Sequence, residues 1–301
     1  MPASIQQVTV RVPATSANLG PGFDCLGLAL DLYLEIRCRT TAAGLAVRVR
    51  QAEPAAAGPL GAAGISTGPD NPIYQAIRRV YEAANEPCPG IELDIDNGIP
   101  LSRGLGSSAA AIAAGLMAAN SLLGGGFDRR RLLSIGLPLE GHPDNLAPAL
   151  FGGLTVSAVV DGRVLTVPVE IKSWIGVALF VPDVAMSTSE ARAVLPEKVP
   201  RGDAVFNVSR AALLVAALAG GDSGVLRWAM EDRLHQPYRA RLFPALPRLI
   251  AAALEAGAAG AAMSGAGSSV IAFCTGEAQT VADAMGEAAA RLGVAGTPMV
   301  A

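Results

Sequence analysis

The sequence predicts a two-domain α/β protein, and three observations carry that reading. Its 301 residues amount to about two ordinary domains of roughly 150 each. Apolar residues make up 51% and charged residues 16%, a globular composition with enough hydrophobic material for sizeable cores. Period-two apolar alternation near the N-terminus gives way, past residue 175, to an alternation of helical and extended patterns.

Val8, Val10 and Val12 alternate with polar residues, as do Leu32, Leu34, Ile36 and Cys38 and then Leu45, Val47 and Val49, which predicts three strands. Pro54 to Gly68 reads as a Pro/Gly/Ala loop. Asn71-Pro72 supplies the N-cap and first position of a helix that puts Ile73, Ile77, Val80 and Ala84 on one face. Ile91, Leu93 and Ile95 predict a fourth strand, and a turn at Asp96-Asn97-Gly98 leads into a glycine-rich loop. Gly104 to Phe127 then holds no charged residue and is long enough to cross a bilayer. It is built from Ala, Gly, Ser and Asn120 with few large apolar side chains, so a tightly packed buried helix is the expectation. Asp128 starts a further helix to about Leu137, and two strands follow Gly152-Gly153, at 154–159 and 164–169. An apolar run spans 175–181, helices are expected over 204–219, 246–256 and 278–292, and a strand over 270–274. No long polar linker separates the halves. The N-terminal domain is placed at 1–160 and the C-terminal domain at 161–301, meeting near 155–170.

Lys+Arg 23 against Asp+Glu 26 leaves a net charge of -3, so no broad basic field exists to hold nucleic acid or an anionic membrane, and neither is expected as a partner. Any phosphate must be held locally. Only Lys172 and Lys198 are lysines, which excludes a Walker A loop and the protein-kinase signature. A nucleotide would therefore rest on backbone N–H groups, a helix end, Arg and metal. Cys25, Cys38, Cys88 and Cys274 lack C-x-x-C spacing and read as reduced thiols, and with only His142 and His235 a zinc cluster is not expected. Ser4, Gln6, Gln7 and Thr9 interrupt the first residues, so no signal peptide is read and a cytoplasmic location is expected.

Four segments carry chemistry. Pro100 to Ala110, Pro-Leu-Ser-Arg-Gly-Leu-Gly-Ser-Ser-Ala-Ala, runs into the uncharged helix; its glycines let N–H groups turn inward and its serines offer hydroxyls, which makes an anion cradle. It also fits the dinucleotide pattern G-x-G-x-x-A, but no strand runs straight into Gly104 and no strand-end acid follows. Gly64-Ile65-Ser66-Thr67-Gly68 fits a nucleophile elbow by letters, yet lacks the strand before and helix directly after. Pro13 to Asp24, Pro-Ala-Thr-Ser-Ala-Asn-Leu-Gly-Pro-Gly-Phe-Asp, follows a strand and is dense in turn formers with amide, hydroxyl and carboxylate groups. Glu140-Gly141-His142-Pro143-Asp144-Asn145 sets two carboxylates, an imidazole and an amide between helix breakers, an arrangement suited to a ligand or metal. Ser264 to Ser269, Ser-Gly-Ala-Gly-Ser-Ser, permits close backbone approach to a ligand or to a packed neighbour.

Taken together, these segments resemble the GHMP small-molecule kinases, with their N-terminal motif, P-x-x-x-G-L-G-S-S phosphate loop and C-terminal S-G-A-G. The wording of the first segment, His142-Pro143-Asp144-Asn145, Ser187-Thr188-Ser189-Glu190-Ala191-Arg192 and Pro237-Tyr238-Arg239 is similar to the homoserine kinase family within that superfamily rather than to mevalonate or galactose kinases.

The resemblance implies the GHMP kinase fold, with a left-handed βαβ phosphate loop in the N-terminal domain, a ferredoxin-like C-terminal domain and a homodimer. It implies ATP at Pro100, Leu101, Ser102, Arg103, Gly104, Leu105, Gly106, Ser107, Ser108, Ala109 and Ala110, with Gly265 and Gly267 packing on that loop and Mg2+ at Ser108 and Glu140. Homoserine would meet Asn18, Asp24, His142, Asp144, Asn145, Arg192 and Arg239, with Thr188 in the pocket. Of these, Asp144, Asp24, Arg192 and Thr188 are the implied catalytic set. The two arginines match a carboxylate clamp, and Asp144 is expected mainly to orient the hydroxyl, because a loose phosphoryl transition state leaves little charge on the attacking oxygen until late. Ser268 stands where family members often have Pro. The implied reaction is ATP-dependent phosphorylation of homoserine, a step of threonine biosynthesis; the alternatives are a GHMP kinase for another small alcohol, of mevalonate type, or an inactive regulator on this fold.

Overall fold

The computed structural model describes residues 6–50, 64–172 and 175–301. Most of the predicted loop at Pro54–Gly68 lies outside the described residues. Strand β1 (Gln7–Ala17) runs antiparallel along β2 (Leu26–Thr41). The other edge of β2 is shared: its C-terminal half pairs with β4 (Gly90–Asn97) and its start with β5 (Leu154–Val160), which turns into β6 (Arg163–Val169). β3 (Leu45–Arg50) lies parallel to β4, and the chain between them forms α1 (Pro72–Ala83). Asn71 caps α1 by accepting from the N–H groups of Ile73 and Tyr74. Ser66 binds Asp70 and the N–H of Gly68 in the turn before that cap, so the Gly64–Gly68 segment is no nucleophile elbow.

The division expected after residue 160 falls in the β5–β6 turn, and sheet pairing corrects it: β6 still belongs to the first sheet, and the change of sheet lies between Val169 and Gly176. The second sheet has the order β10 (Gly296–Val300), β7 (Gly176–Pro182), β9 (Val270–Cys274), β8 (Gly260–Met263), all antiparallel. Between β7 and β8 come α5 (Thr188–Ala193), α6 (Arg201–Gly220), α7 (Leu226–Ala229), α8 (Gln236–Arg239) and α9 (Leu246–Glu255), and α10 (Ala278–Arg291) joins β9 to β10. The sequence β7-α9-β8-β9-α10-β10 in this strand order is the ferredoxin-like arrangement.

Val177, Leu179 and Val181 join the main core, while Ala178 and Phe180 face a second core under α9 and α10. That explains why 175–181 is apolar throughout instead of alternating: β7 is covered on both faces. The two halves thus share one core across their seam.

The uncharged stretch forms α2 (Ser107–Leu122), with Ala109, Ala113, Leu116 and Ala118 among its buried residues, followed by α3 (Arg129–Glu140) and α4 (Pro143–Phe151). Small residues are needed because α1 lies close: a Cβ on Gly115 would run into the Ile73 carbonyl and Ala76. Among the described residues one helix, α6, is long and apolar enough by length and composition to cross a membrane; it carries Arg201, Asp203 and Arg210. All four cysteines are free, Cys38 and Cys274 buried, Cys25 and Cys88 half-buried.

Helix propensity alone would make Gly115→Ala stabilising by about 1 kcal/mol, whereas overpacking against α1 costs about 1–3 kcal/mol. The urea unfolding midpoint is expected to fall; a rise would show that α1 does not pack as closely as described.

Candidate active site

The phosphate loop connects β4 to α2. Gly106, at φ 65°, is the N-cap of α2 and supplies no side-chain cap, which leaves the first-turn N–H groups pointing into the cleft. A Cβ there would collide with Thr15 Oγ1 and Asn145 Oδ1, and one on Gly104 (φ 74°) with the Ser264 carbonyl. Those neighbours are themselves joined: Thr15 Oγ1 donates to Asn145 Oδ1 at 2.8 Å. Ser264 Oγ lies 2.7 Å from the Gly104 carbonyl, and the Gly265 N–H bonds the Ala17 carbonyl. The third glycine segment therefore packs on the loop as expected. Ser268 Oγ donates to the Val184 carbonyl at 2.5 Å and anchors that segment by a hydroxyl.

Asn18, Leu19 and Asp24 all have positive φ (68°, 50° and 57°), a conformation costing an L-residue about 1 kcal/mol each and tolerated where the surroundings dictate it. Asn18 holds the turn, donating to the Gly265 carbonyl at 2.8 Å and accepting the Asp24 N–H. Asp24 then meets Arg192 across the cleft in a two-pronged ion pair, Nη2–Oδ1 at 2.6 Å and Nη1–Oδ2 at 3.2 Å. Arg192 Nε is buried with no partner. Arg239 is 1% exposed yet also borders the cleft, and burial together with the nearby Arg192 charge pulls its pKa down to about 10. The Phe23 ring neighbours both guanidiniums, its centroid 5.4 Å from Arg192 and 5.3 Å from Arg239.

The helix break at Gly141 (φ 88°) and Pro143 directs the remaining groups inward. Ser108 Oγ donates to Glu140 Oε2 at 2.9 Å. Burial, with Asp144 nearby, pushes the Glu140 carboxyl up to about 7. Asp144 is likewise raised to about 7, by burial first and then by Asp24, and accepts the Asn145 N–H. Burial also lowers the His142 pKa, with Asp24 opposing that shift. Among the described residues neither Glu140 nor Asp144 has a salt-bridge partner.

One cleft of about 350 Å³ gathers Asn18, Asp24, Ser102, Gly104, Leu105, Gly106, Ser107, Ser108, Glu140, His142, Asp144, Asn145, Thr188, Arg192, Arg239, Gly265 and Gly267. It does not gather every expected residue. Arg103 points into the seam, where its guanidinium donates to the carbonyls of Pro182, Asp183, Leu101 and Ser102. Ala109 and Ala110 are buried in the core, and Pro100 does not line the cleft. Leu101 lines a second cavity, of about 340 Å³, with Leu34, Ile65, Asn71, Ile73 and Ile95; Ser102, Ser107 and Ser108 border both. Sequence pattern does not reveal this cavity or a place for Phe23 and His235 beside the cleft, since Asn71-Pro72 reads as a helix cap and Phe23 as part of the Pro13–Asp24 loop.

The GHMP kinases N terminal domain family matches residues 71–153 and the GHMP kinases C terminal family matches 214–291. The homoserine kinase of Moorella thermoacetica is 42% identical over 285 residues, covering 95% of this chain and 93% of that protein. The chain belongs to the homoserine kinase family of the GHMP kinases. A second member, from Gloeobacter violaceus, is 47% identical over 265 residues, 88% of this chain and 86% of its own. The crystal structure of homoserine kinase from Cytophaga hutchinsonii matches with a TM-score of 0.88 at 30% identity, over 100% of this chain and 96% of that one. The crystal structure of L. major mevalonate kinase in complex with R-mevalonate matches at TM-score 0.70 and 17% identity over 95% and 93% of the two chains, a likeness of fold alone.

Family membership raises the question of a metal. Among the described residues no three His, Cys, Asp or Glu gather into a protein-only cage. A hydroxyl and an unpaired carboxylate, Ser108 and Glu140, fit instead a magnesium that keeps water and phosphate oxygens as its other ligands.

Carboxylates whose folded pKa is raised contribute stability below about pH 4 that is lost as pH rises through about 7. Asp144→Asn cannot ionise, so the ligand-free variant is expected to be more stable than the parent at pH 8 by about 1–3 kcal/mol, read by thermal unfolding. Equal or lower stability at that pH would contradict the burial of an unpaired charge.

Proposed function

We propose that this chain transfers the γ-phosphoryl group of ATP to the side-chain hydroxyl of L-homoserine, giving O-phospho-L-homoserine and ADP, a step of threonine biosynthesis. The observation that carries the substrate is the Asp24–Arg192 pair with Arg239 beside it. One carboxylate and two guanidiniums are the complement of an α-ammonium and an α-carboxylate. The pair neutralises itself when the cleft is empty, and a zwitterion replaces it charge for charge: Asp24 takes the ammonium while Arg192 and Arg239 take the carboxylate. A mevalonate-type alcohol has no ammonium and would leave Asp24 unpaired at a cost. The relatives named homoserine kinases support the same reading.

The second cavity sets apolar walls, Leu34, Ile65, Ile73, Ile95 and Leu101, beside polar groups such as Asn71 and Asn97, a lining suited to a nucleoside, and the uncapped start of α2 continues from it into the cleft. The triphosphate would lie along Gly104–Ser108, held by backbone N–H groups and the helix dipole. Ser108 and Glu140 would hold Mg2+, which when bound supplies positive charge against the phosphate oxygens. Asn145 braces the loop through Thr15, His142 and Thr188 face the substrate, and Asp144 orients its hydroxyl toward the phosphate. Positioning and electrostatics dominate this chemistry. Asp144, held near pH 7, can take the proton late in the transfer.

Coupled ADP release with homoserine, threonine, serine and mevalonate tests the assignment. Homoserine is expected to win by at least about 100-fold in kcat/KM; preference for mevalonate, or silence with every alcohol despite ATP binding, would overturn it.

A further inference from the structure

Arg239 is the most deeply buried cation of the cleft, and its orientation traces to a residue outside the cleft wall. Asp232 accepts the N–H groups of Leu234, His235 and Gln236 and the Asn207 amide, which pins the turn into α8. The His235 ring is fully buried and stacks on Phe23, centroids 5.2 Å apart. Its Nε2 lies 2.7 Å from the Gly20 carbonyl. A carbonyl only accepts, so Nε2 carries the hydrogen and Nδ1 presents a lone pair. Arg239 Nη1 lies 3.2 Å from that Nδ1 and donates to it. Burial depresses the ring's pKa to about 4, so the acceptor persists at neutral pH. Arg239 Nε donates to the Ala191 carbonyl at 3.1 Å and Nη1 also to the Gly265 carbonyl at 3.1 Å. These bonds involve Nε and Nη1 and leave Nη2 without a part in them.

We infer that neutral His235 is a positioning residue: its Nδ1 lone pair sets the Arg239 guanidinium so that Nη2 faces the substrate's carboxylate. The inference rests on the reading of Arg239 as a carboxylate ligand. Together His235 and Arg239 tie three separated segments: His235 meets Gly20 and Phe23 of the N-terminal motif, and Arg239 meets Ala191 of α5 and Gly265 of the glycine loop. A protonated or acceptor-less side chain at 235 leaves Arg239 charged but held only by the Ala191 and Gly265 carbonyls, so the loss falls on affinity for the carboxylate-bearing substrate and not on ATP.

Two substitutions divide the ring's two roles. In His235→Asn the amide oxygen can stand where Nδ1 was, keeping the acceptor and losing the Gly20 bond. In His235→Gln the amide nitrogen can reach the Gly20 carbonyl, and the acceptor for Arg239 is lost. Steady-state kinetics at pH 8 should show His235→Gln raising the homoserine KM by about 10-fold or more, with the ATP KM changed by less than about 3-fold, and His235→Asn recovering most of that loss. Arg239→Gln is measured beside them. If it leaves the homoserine KM unchanged, the reading of Arg239 fails and the inference falls with it. If it raises the homoserine KM while the two variants at 235 behave alike, or shift the ATP KM equally, His235 is merely structural and only the inference is overturned. Nitrogen-15 NMR of histidine-labelled wild type, in which only His142 and His235 contribute, keeps the test independent of variant folding. It should report hydrogen on Nε2 and none on Nδ1 between pH 6 and 8; hydrogen on Nδ1 would overturn the proposal.

Discussion

The ion pair between Asp24 and Arg192 is the interaction on which the cleft's chemistry turns. Three carboxylates, Asp24, Glu140 and Asp144, converge there, and only Asp24 meets an opposite charge from the protein among the described residues. Desolvation raises the other two toward neutrality, because a buried unpaired charge is among the most costly things a fold can hold. On the proposed function the same deficit defines the ligands: unpaired Glu140 would take a cation with Ser108, Asp144 would take the substrate hydroxyl, and the paired set would take a molecule that carries both charges. An overall charge of -3 is then no obstacle to binding ATP, whose phosphates, on the proposed function, would meet backbone N–H groups and a helix end.

The pair can act only if the two halves are held in register. Arg192 and Arg239 come from the C-terminal half, and Asp24 and the phosphate loop from the N-terminal half. The seam is fixed by the main-chain contact of Gly104 with Ser264 and Gly267, by Ser264 Oγ against the Gly104 carbonyl, and by Arg103, whose guanidinium gathers four carbonyls from both sides. A loop residue expected to contact nucleotide thus joins the loop to the end of β7.

Much of this was legible in local chemistry. The Asn71 cap, the Gly106 loop and the break at Gly141–Pro143 are determined by backbone conformation and hydrogen-bond supply within a few residues, so sequence pattern reaches them. β8 was missed because Gly-Ala-Ala-Met carries no strand signature, and β10 because Pro298 interrupts it. The partnership of Asp24 with Arg192 spans 168 residues and depends on a tertiary approach that no spacing encodes. Arg103 was grouped with its glycine neighbours because letters do not show which way a side chain leaves a loop. The imidazole of His235 was hidden for the same reason: its role depends on the Gly20 carbonyl, 215 residues away.

On the proposed function, substrate replaces the internal Asp24–Arg192 ion pair charge for charge. A crystal structure with homoserine and a non-hydrolysable ATP analogue tests it directly. Arg192 is expected to leave Asp24 for the substrate carboxylate, joined by Arg239, while Asp24 binds the ammonium. An intact Asp24–Arg192 pair with homoserine seated elsewhere would contradict it.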